Sequence, residues 1–149
     1  MFKTTVKYTD FLGTEREEVL RFNLTELEMK DLMDSDVAFS PAFLSTISDE
    51  ENEEMILKVF RKIILHAYGE MSEDGRYFRK SPEIMSDFAH SAAYTALLEK
   101  LLKSEDENFI ANFIFGIFPA NIGEKLKEVV VRPIKAVLGD IPSSFLNYG

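Results

Sequence analysis

The ten residues from Phe109 to Phe118 most constrain what this chain can fold into. Phe109, Ile110, Phe113, Ile114, Phe115, Ile117 and Phe118 fall within them, so a helix here is apolar on nearly every side. In a chain with a net charge of −9, such a segment must be buried by the fold or covered by a partner. Ser104 and Glu107 have the spacing of a capping box that opens this helix, and Pro119 ends it, which predicts a helix over 105–117. Residues 109, 113 and 117 share one face, while Phe115 and Phe118 point well away from Phe113. The spacing therefore predicts the 109/113/117 face as core, with Phe115 and Phe118 nearer a partner surface.

The elements that would cover this helix are readable in order. Phe2, Thr4, Val6 and Tyr8 alternate with Lys3, Thr5 and Lys7, as in a half-buried strand. A second run ends with Leu20 and Phe22 on one face, and Asp10 to Thr14 with Gly13 supplies the turn. The reading is a β-hairpin over 2–22, which must pack on helices or pair with another chain because two strands alone are marginal in water. Thr25 with Glu28 and Ser48 with Glu51 repeat the capping-box spacing and predict helices over about 25–35 and 49–68. The second carries the stripe Met55, Ile56, Val59, Phe60, Ile63, Ile64 and Ala67, with Gly69 as its C-cap.

Residues 70–80 read as a polar linker with an Asp74-Gly75 turn. Ser81 and Pro82 then start a helix expected to run from 82 to 103, in which Met85, Ala89, Ala92 and Ala96 form a seam of mostly small residues. The expected fold is α+β and mostly helical: a short N-terminal hairpin packed on a bundle of four to five helices, forming one domain over 1–122. Residues 123–149 read as a partly helical extension. Val129 to Val131 suit a helix or a strand equally, and Pro133 interrupts either.

Composition narrows function by exclusion. There is no cysteine, hence no disulfide framework and no thiolate site, which suggests a reduced compartment. Apolar runs fall short of a bilayer span, and the N-terminal residues lack the apolar core of a signal peptide. Residues 1–55 hold 5 Lys/Arg against 14 Asp/Glu, so the acidity is concentrated there. The one basic cluster is Arg76, Arg79 and Lys80, too small for a nucleic-acid footprint. His66 and His90 lie on separate predicted helices without a spaced ligand set, so neither a metal nor a cofactor is expected. The acidic run Asp49 to Glu54 lacks the alternation and central glycine of a calcium loop. These residues point to a non-catalytic interaction protein.

The order of pieces also resembles a known family. An N-terminal hairpin, the segment FNLTELEM, a long helix, and then Tyr68-Gly69, Ser72 to Gly75, Phe78, Lys80-Ser81, Glu83-Ile84, Phe88, Ser91, Ala93-Tyr94, Leu97, Phe113-Ile114, Gly116-Ile117 and Pro119 resemble the tail assembly chaperones of long-tailed bacteriophages. Phe115 stands where a more polar residue is expected in that pattern. The resemblance covers residues 1–122. It implies a protein of the host cytoplasm, not retained in the mature virion, that binds the phage tape measure protein, keeps it soluble and helps recruit tail tube subunits.

Combined with the aromatic surplus, this names Phe88, Tyr94, Phe109, Phe113, Phe115 and Phe118 as expected partner-binding residues, with the tape measure protein, the major tail tube protein and a second copy of the chain as expected partners. Neither nucleic acid nor membrane is expected as a partner. Two alternatives stay open: a tail or tail-completion component of the virion that adds a strand to a neighbour's sheet, and a small hydrolase whose site only three dimensions would reveal.

Overall fold

The computed structural model describes residues 1–35, 53–103, 109, 112, 113, 116 and 117, with residues 33, 53–57 and 102 described by backbone alone. Strands β1 (Phe2–Thr9) and β2 (Glu15–Phe22) form the expected antiparallel hairpin, from Phe2 opposite Phe22 to Thr9 opposite Glu15. Its alternation divides the faces as the sequence predicts: Thr4, Val6, Leu20 and Phe22 are buried, and Lys3, Thr5, Lys7, Glu15 and Glu17 are exposed. Helix α1 (Glu26–Ser35) starts at a complete capping box, in which the Thr25 N–H donates to Glu28 Oε1 at 3.0 Å and the Glu28 N–H to Thr25 Oγ1 at 3.1 Å.

The four- to five-helix bundle is overturned. Helix α2 (Glu53–Ala67) ends at Ala67, and the chain continues as strand β3 (Tyr68–Met71), paired antiparallel to β2 through Arg21–Gly69 and Phe22–Tyr68. A fourth strand, β4 (Phe78–Arg79), returns along β3 with Glu70 opposite Arg79 and Met71 opposite Phe78. The stretch expected to be a polar linker is thus a second hairpin, and the sheet order is β1-β2-β3-β4. Of the residues described with side chains 51% are helical and 26% lie in strands, so the fold is α+β around a four-stranded antiparallel sheet.

The physical cause lies in pairing. The open edge of β2 needs a partner, and residues 68–71 fill it at once as the chain leaves α2, with the Asn23 N–H donating to the Ala67 carbonyl at 2.8 Å. Gly69 is therefore a strand residue and not a helix cap. A Cβ there would sit 2.7 Å from the Phe78 ring, so glycine is what lets β4's aromatic ring lie against β3.

The single helix expected over 82–103 is two, α3 (Pro82–Ala89) and α4 (Ala92–Lys103). The start is as predicted, with Ser81 Oγ accepting the Ile84 N–H at 3.1 Å and Pro82 in the first turn. The break at His90 and Ser91 arises because one serine serves both helices. Its hydroxyl donates to the Phe88 carbonyl at 2.7 Å and accepts the Tyr94 N–H at 3.2 Å. The seam from Met85 to Ala96 is consequently split between two helices.

The core lies between the helices and one face of the sheet. Val59, Phe60, Ile63, Ile64 and Ala67 of α2, Ala93, Tyr94, Leu97, Leu98 and Leu101 of α4, and Phe88 of α3 are buried together with Leu20, Phe22, Leu24 and Met29. Residues 109, 112, 113, 116 and 117 are helical, and Phe113 and Ile117 are fully buried with Phe109 packed against the same core. The 109/113/117 face therefore faces inward as its spacing predicts. The Leu24 N–H donates to the Ile117 carbonyl at 2.8 Å, tying this segment to the link between β2 and α1.

Candidate partner-binding surface

An aromatic relay centred on Phe22 consumes most of the rings that sequence reasoning selected. Phe22 meets Phe113 at 5.3 Å, Tyr68 at 5.8 Å and Phe88 at 6.0 Å edge to face, while Tyr68 stacks on Phe88 at 3.8 Å. Tyr94 extends the relay from Phe88 at 5.4 Å, and Phe2 bridges Phe113 at 4.9 Å to Phe109 at 6.1 Å. Such pairs contribute about 0.5–1.5 kcal/mol each beyond the area they bury. Phe88, Tyr94 and Phe113 are buried here, and a partner reaches them only if this core opens. Phe109 is half-buried, with the Lys100 ammonium 5.5 Å from its ring centre. Phe115 and Phe118 lie outside the described residues.

The structure places large apolar side chains in solvent elsewhere, at the turns of the two hairpins. At the first turn Phe11 is 83% and Leu12 92% exposed. This turn is held tightly: Asp10 Oδ1 accepts the Leu12 and Thr14 N–H groups, both at 2.9 Å, and Asp10 Oδ2 accepts Arg16 Nε at 2.6 Å. The Arg16 guanidinium and the Thr14 N–H hold the Asp10 carboxyl below its usual range. Two side chains with almost no contacts of their own are thus presented by a loop with little freedom left to lose, which reduces the ordering cost of docking.

The second turn is built from the Ser72 to Gly75 motif. Ser72 Oγ donates to Asp74 Oδ1 at 2.8 Å and accepts the Tyr77 N–H at 3.0 Å, while Gly75, at φ 76°, closes the reversal. Tyr77, 52% exposed, has the guanidinium groups of Arg76 and Arg79 at 5.4 Å and 5.5 Å from its ring centre. Those two residues, with Tyr77, Phe78, Lys80, Ser81 and Ile84, line a shallow open groove. Lys80 departs from the cluster that its sequence position suggested. Its ammonium turns inward to the Asn23 carbonyl and to Glu28 Oε2, the latter at 2.7 Å. Burial alone would raise the Glu28 carboxyl, but the bonds from Lys80 and the Thr25 N–H outweigh it and hold the group below its usual range.

His66 and His90 each bond through Nδ1 to the carbonyl four residues back, Lys62 at 2.8 Å and Ser86 at 2.7 Å. No cluster of three or more His, Cys, Asp or Glu among the described residues is placed to hold a metal ion, and no described helix is long and apolar enough to cross a membrane. A recess beside His66 is lined by Leu24, Glu28, Asp31, Leu32 and Ser35, and its Glu28 is committed to Lys80 and Thr25.

The two hairpins hold Phe11, Leu12 and Tyr77 out into solvent, away from the aromatic core. The chain belongs to the phage tail assembly chaperone family, whose model matches residues 1–141. No curated protein and no solved structure matches it at a significant level. Membership indicates a non-enzymatic role in building the tail and interaction with tail proteins.

Proposed function

We propose that this chaperone binds the tape measure protein during tail assembly, keeps its long apolar helices soluble, helps recruit tail tube subunits, and leaves before the virion is complete, acting in the host cytoplasm. The observation that carries this reading, beyond family membership, is the pair Phe11 and Leu12, 83% and 92% exposed on a turn pinned by Asp10. Large apolar anchors on a preorganised loop suit apolar grooves between client helices, where a few such residues dominate binding energy. Tyr77, with the Arg76 and Arg79 guanidinium groups near its ring, supports a second contact, suited to an acidic or aromatic stretch of the client.

The test is coexpression with the tape measure protein of the same phage. The client is expected in the soluble fraction with the wild-type chain and in the pellet without it; a client equally insoluble in both cases rules the reading out. Phe11→Ser/Leu12→Ser should return the client to the pellet while the chaperone itself stays folded, because neither side chain is part of the core. Mass spectrometry of purified particles checks the departure step, and stoichiometric amounts of the chain in virions would instead support a structural component.

A further inference from the structure

Among the described residues, no helix packs on the side of the sheet turned away from the core. Its central row crosses all four strands: Thr5 lies opposite Val19, Met71 opposite Phe78, and Val19 and Met71 come level two residues beyond the Arg21–Gly69 pair. Val19 is 47% and Met71 38% exposed, and the Phe78 ring lies beside them over Gly69. An antiparallel sheet tolerates one solvated face when that face is polar, but here its middle is apolar.

The charges around this row indicate what covers it. On its outer face β2 reads Glu15, Glu17, Val19, Arg21, with Glu17 and Arg21 equally spaced on either side of Val19. Neither charge is in a hydrogen bond or ion pair among the described residues. A two-fold axis along the central row turns a second copy face to face with its strands reversed. Val19 then meets its own counterpart, Glu17 of each copy meets Arg21 of the other, and Met71 and Phe78 fill the middle. The β2 row is its own complement, as an isologous interface requires. The same axis sets Lys3 of each copy opposite Lys7 of the other on β1, at the rim of the face, where their long stems let the ammonium groups turn apart into water.

We propose that the outer face of the sheet is a homodimer interface, two copies stacking their sheets through the Thr5–Val19–Met71–Phe78 row, with reciprocal Glu17–Arg21 pairs on either side. Stacked sheets lie about 10 Å apart with strands aligned to within roughly 30°, a separation that these side chains span. The contact does not involve the first hairpin turn, so the dimer offers clients two copies of Phe11 and Leu12.

Light scattering coupled to gel filtration of the purified full chain tests this. The expected wild-type mass is twice the 17.1 kDa of one chain. Val19→Lys should reduce it to a single chain, as should Arg21→Glu or Glu17→Arg alone, since each single charge reversal sets like charges against each other. Glu17→Arg/Arg21→Glu should restore the dimer, which a fold merely damaged by substitution would not do. Far-UV circular dichroism of each variant confirms that the chain remains folded. Because the chain has no cysteine, Val19→Cys treated with a short bismaleimide should cross-link two copies, whereas Glu83→Cys, on exposed α3, should not. A wild-type mass of one chain at micromolar concentration, a dimer indifferent to Val19→Lys, or no rescue by the double reversal would overturn the proposal.

Discussion

The two faces of the sheet are made by the same strands and meet opposite fates. On β2, Leu20 and Phe22 go into the aromatic core, while Val19 and Arg21, one residue out of step, stay at the surface. Alternation at a period of two forces this division, and a one-residue slip would exchange the faces entirely. The inner face is locked from several directions: α2 and α4 bury it, Phe113 and Ile117 complete it, and Lys100 from α4 donates to Thr4 Oγ1 and to the Thr5 carbonyl, both at 2.9 Å. No described helix covers the outer face. Stability therefore resides on one side of the sheet, leaving the other free to be shaped by association.

Substitutions can break or sharpen this contrast. The largest effect is expected for Phe22→Ala, which empties the centre of the relay and should cost about 3–5 kcal/mol in urea denaturation, as loss of a buried phenylalanine does. A loss under 1 kcal/mol would mean that Phe22 is not central. Gly69→Ala comes next, because the added carbon meets the Phe78 ring at 2.7 Å and the Arg79 carbonyl at 3.0 Å. It should cost roughly 1–3 kcal/mol by overpacking, with faster hydrogen exchange confined to β3 and β4.

Glu28→Gln probes the tie between α1 and the second hairpin. With the folded carboxyl held below its reference value of 4.5, the stabilisation is present above that pH and is lost as pH falls through the folded value. The partly exposed pair with Lys80 should contribute at most about 1 kcal/mol at neutral pH. The difference between wild type and variant should close in acid; a gap unchanged there would assign the effect to packing. The smallest effect belongs to the outer face. Val19→Thr, assayed at dilutions where the chain is monomeric, should alter stability by no more than about 0.5 kcal/mol.

Local signals were legible in the sequence, and non-local ones were not. Alternation over Phe2 to Tyr8, the Thr25–Glu28 box, the Ser81–Pro82 start and the 109/113/117 face all depend on neighbours within a few residues, and each is present in the structure. The second hairpin was missed because its strands are only four and two residues long, too short to show alternation. Asp74-Gly75 marks the turn, but only the unfilled edge of β2, some fifty residues earlier, makes Tyr68–Met71 a strand. The helix break was hidden in Ser91, whose hydroxyl is ordinary in sequence and decisive in place.

The surface was the least legible part. Aromatic content alone selected Phe88, Tyr94 and Phe113, but it cannot separate a ring that fills a core from one that faces a client. Phe11 and Leu12 carried no periodic signal; only the Asp10 turn, seen in three dimensions, gives them their position.

The route by which the sheet closes has a consequence for how the chain is made. Its third strand begins at residue 68, the lysine that fastens α1 is residue 80, and the ring that completes the relay is residue 113. A nascent chain leaving the ribosome first presents a hairpin whose apolar face has nothing to lie against, and that face stays incompletely covered until residue 113 has been made. Such distant pairings slow folding and leave sticky intermediates exposed. A protein that belongs to a chaperone family thus passes through its own vulnerable phase before it can fold.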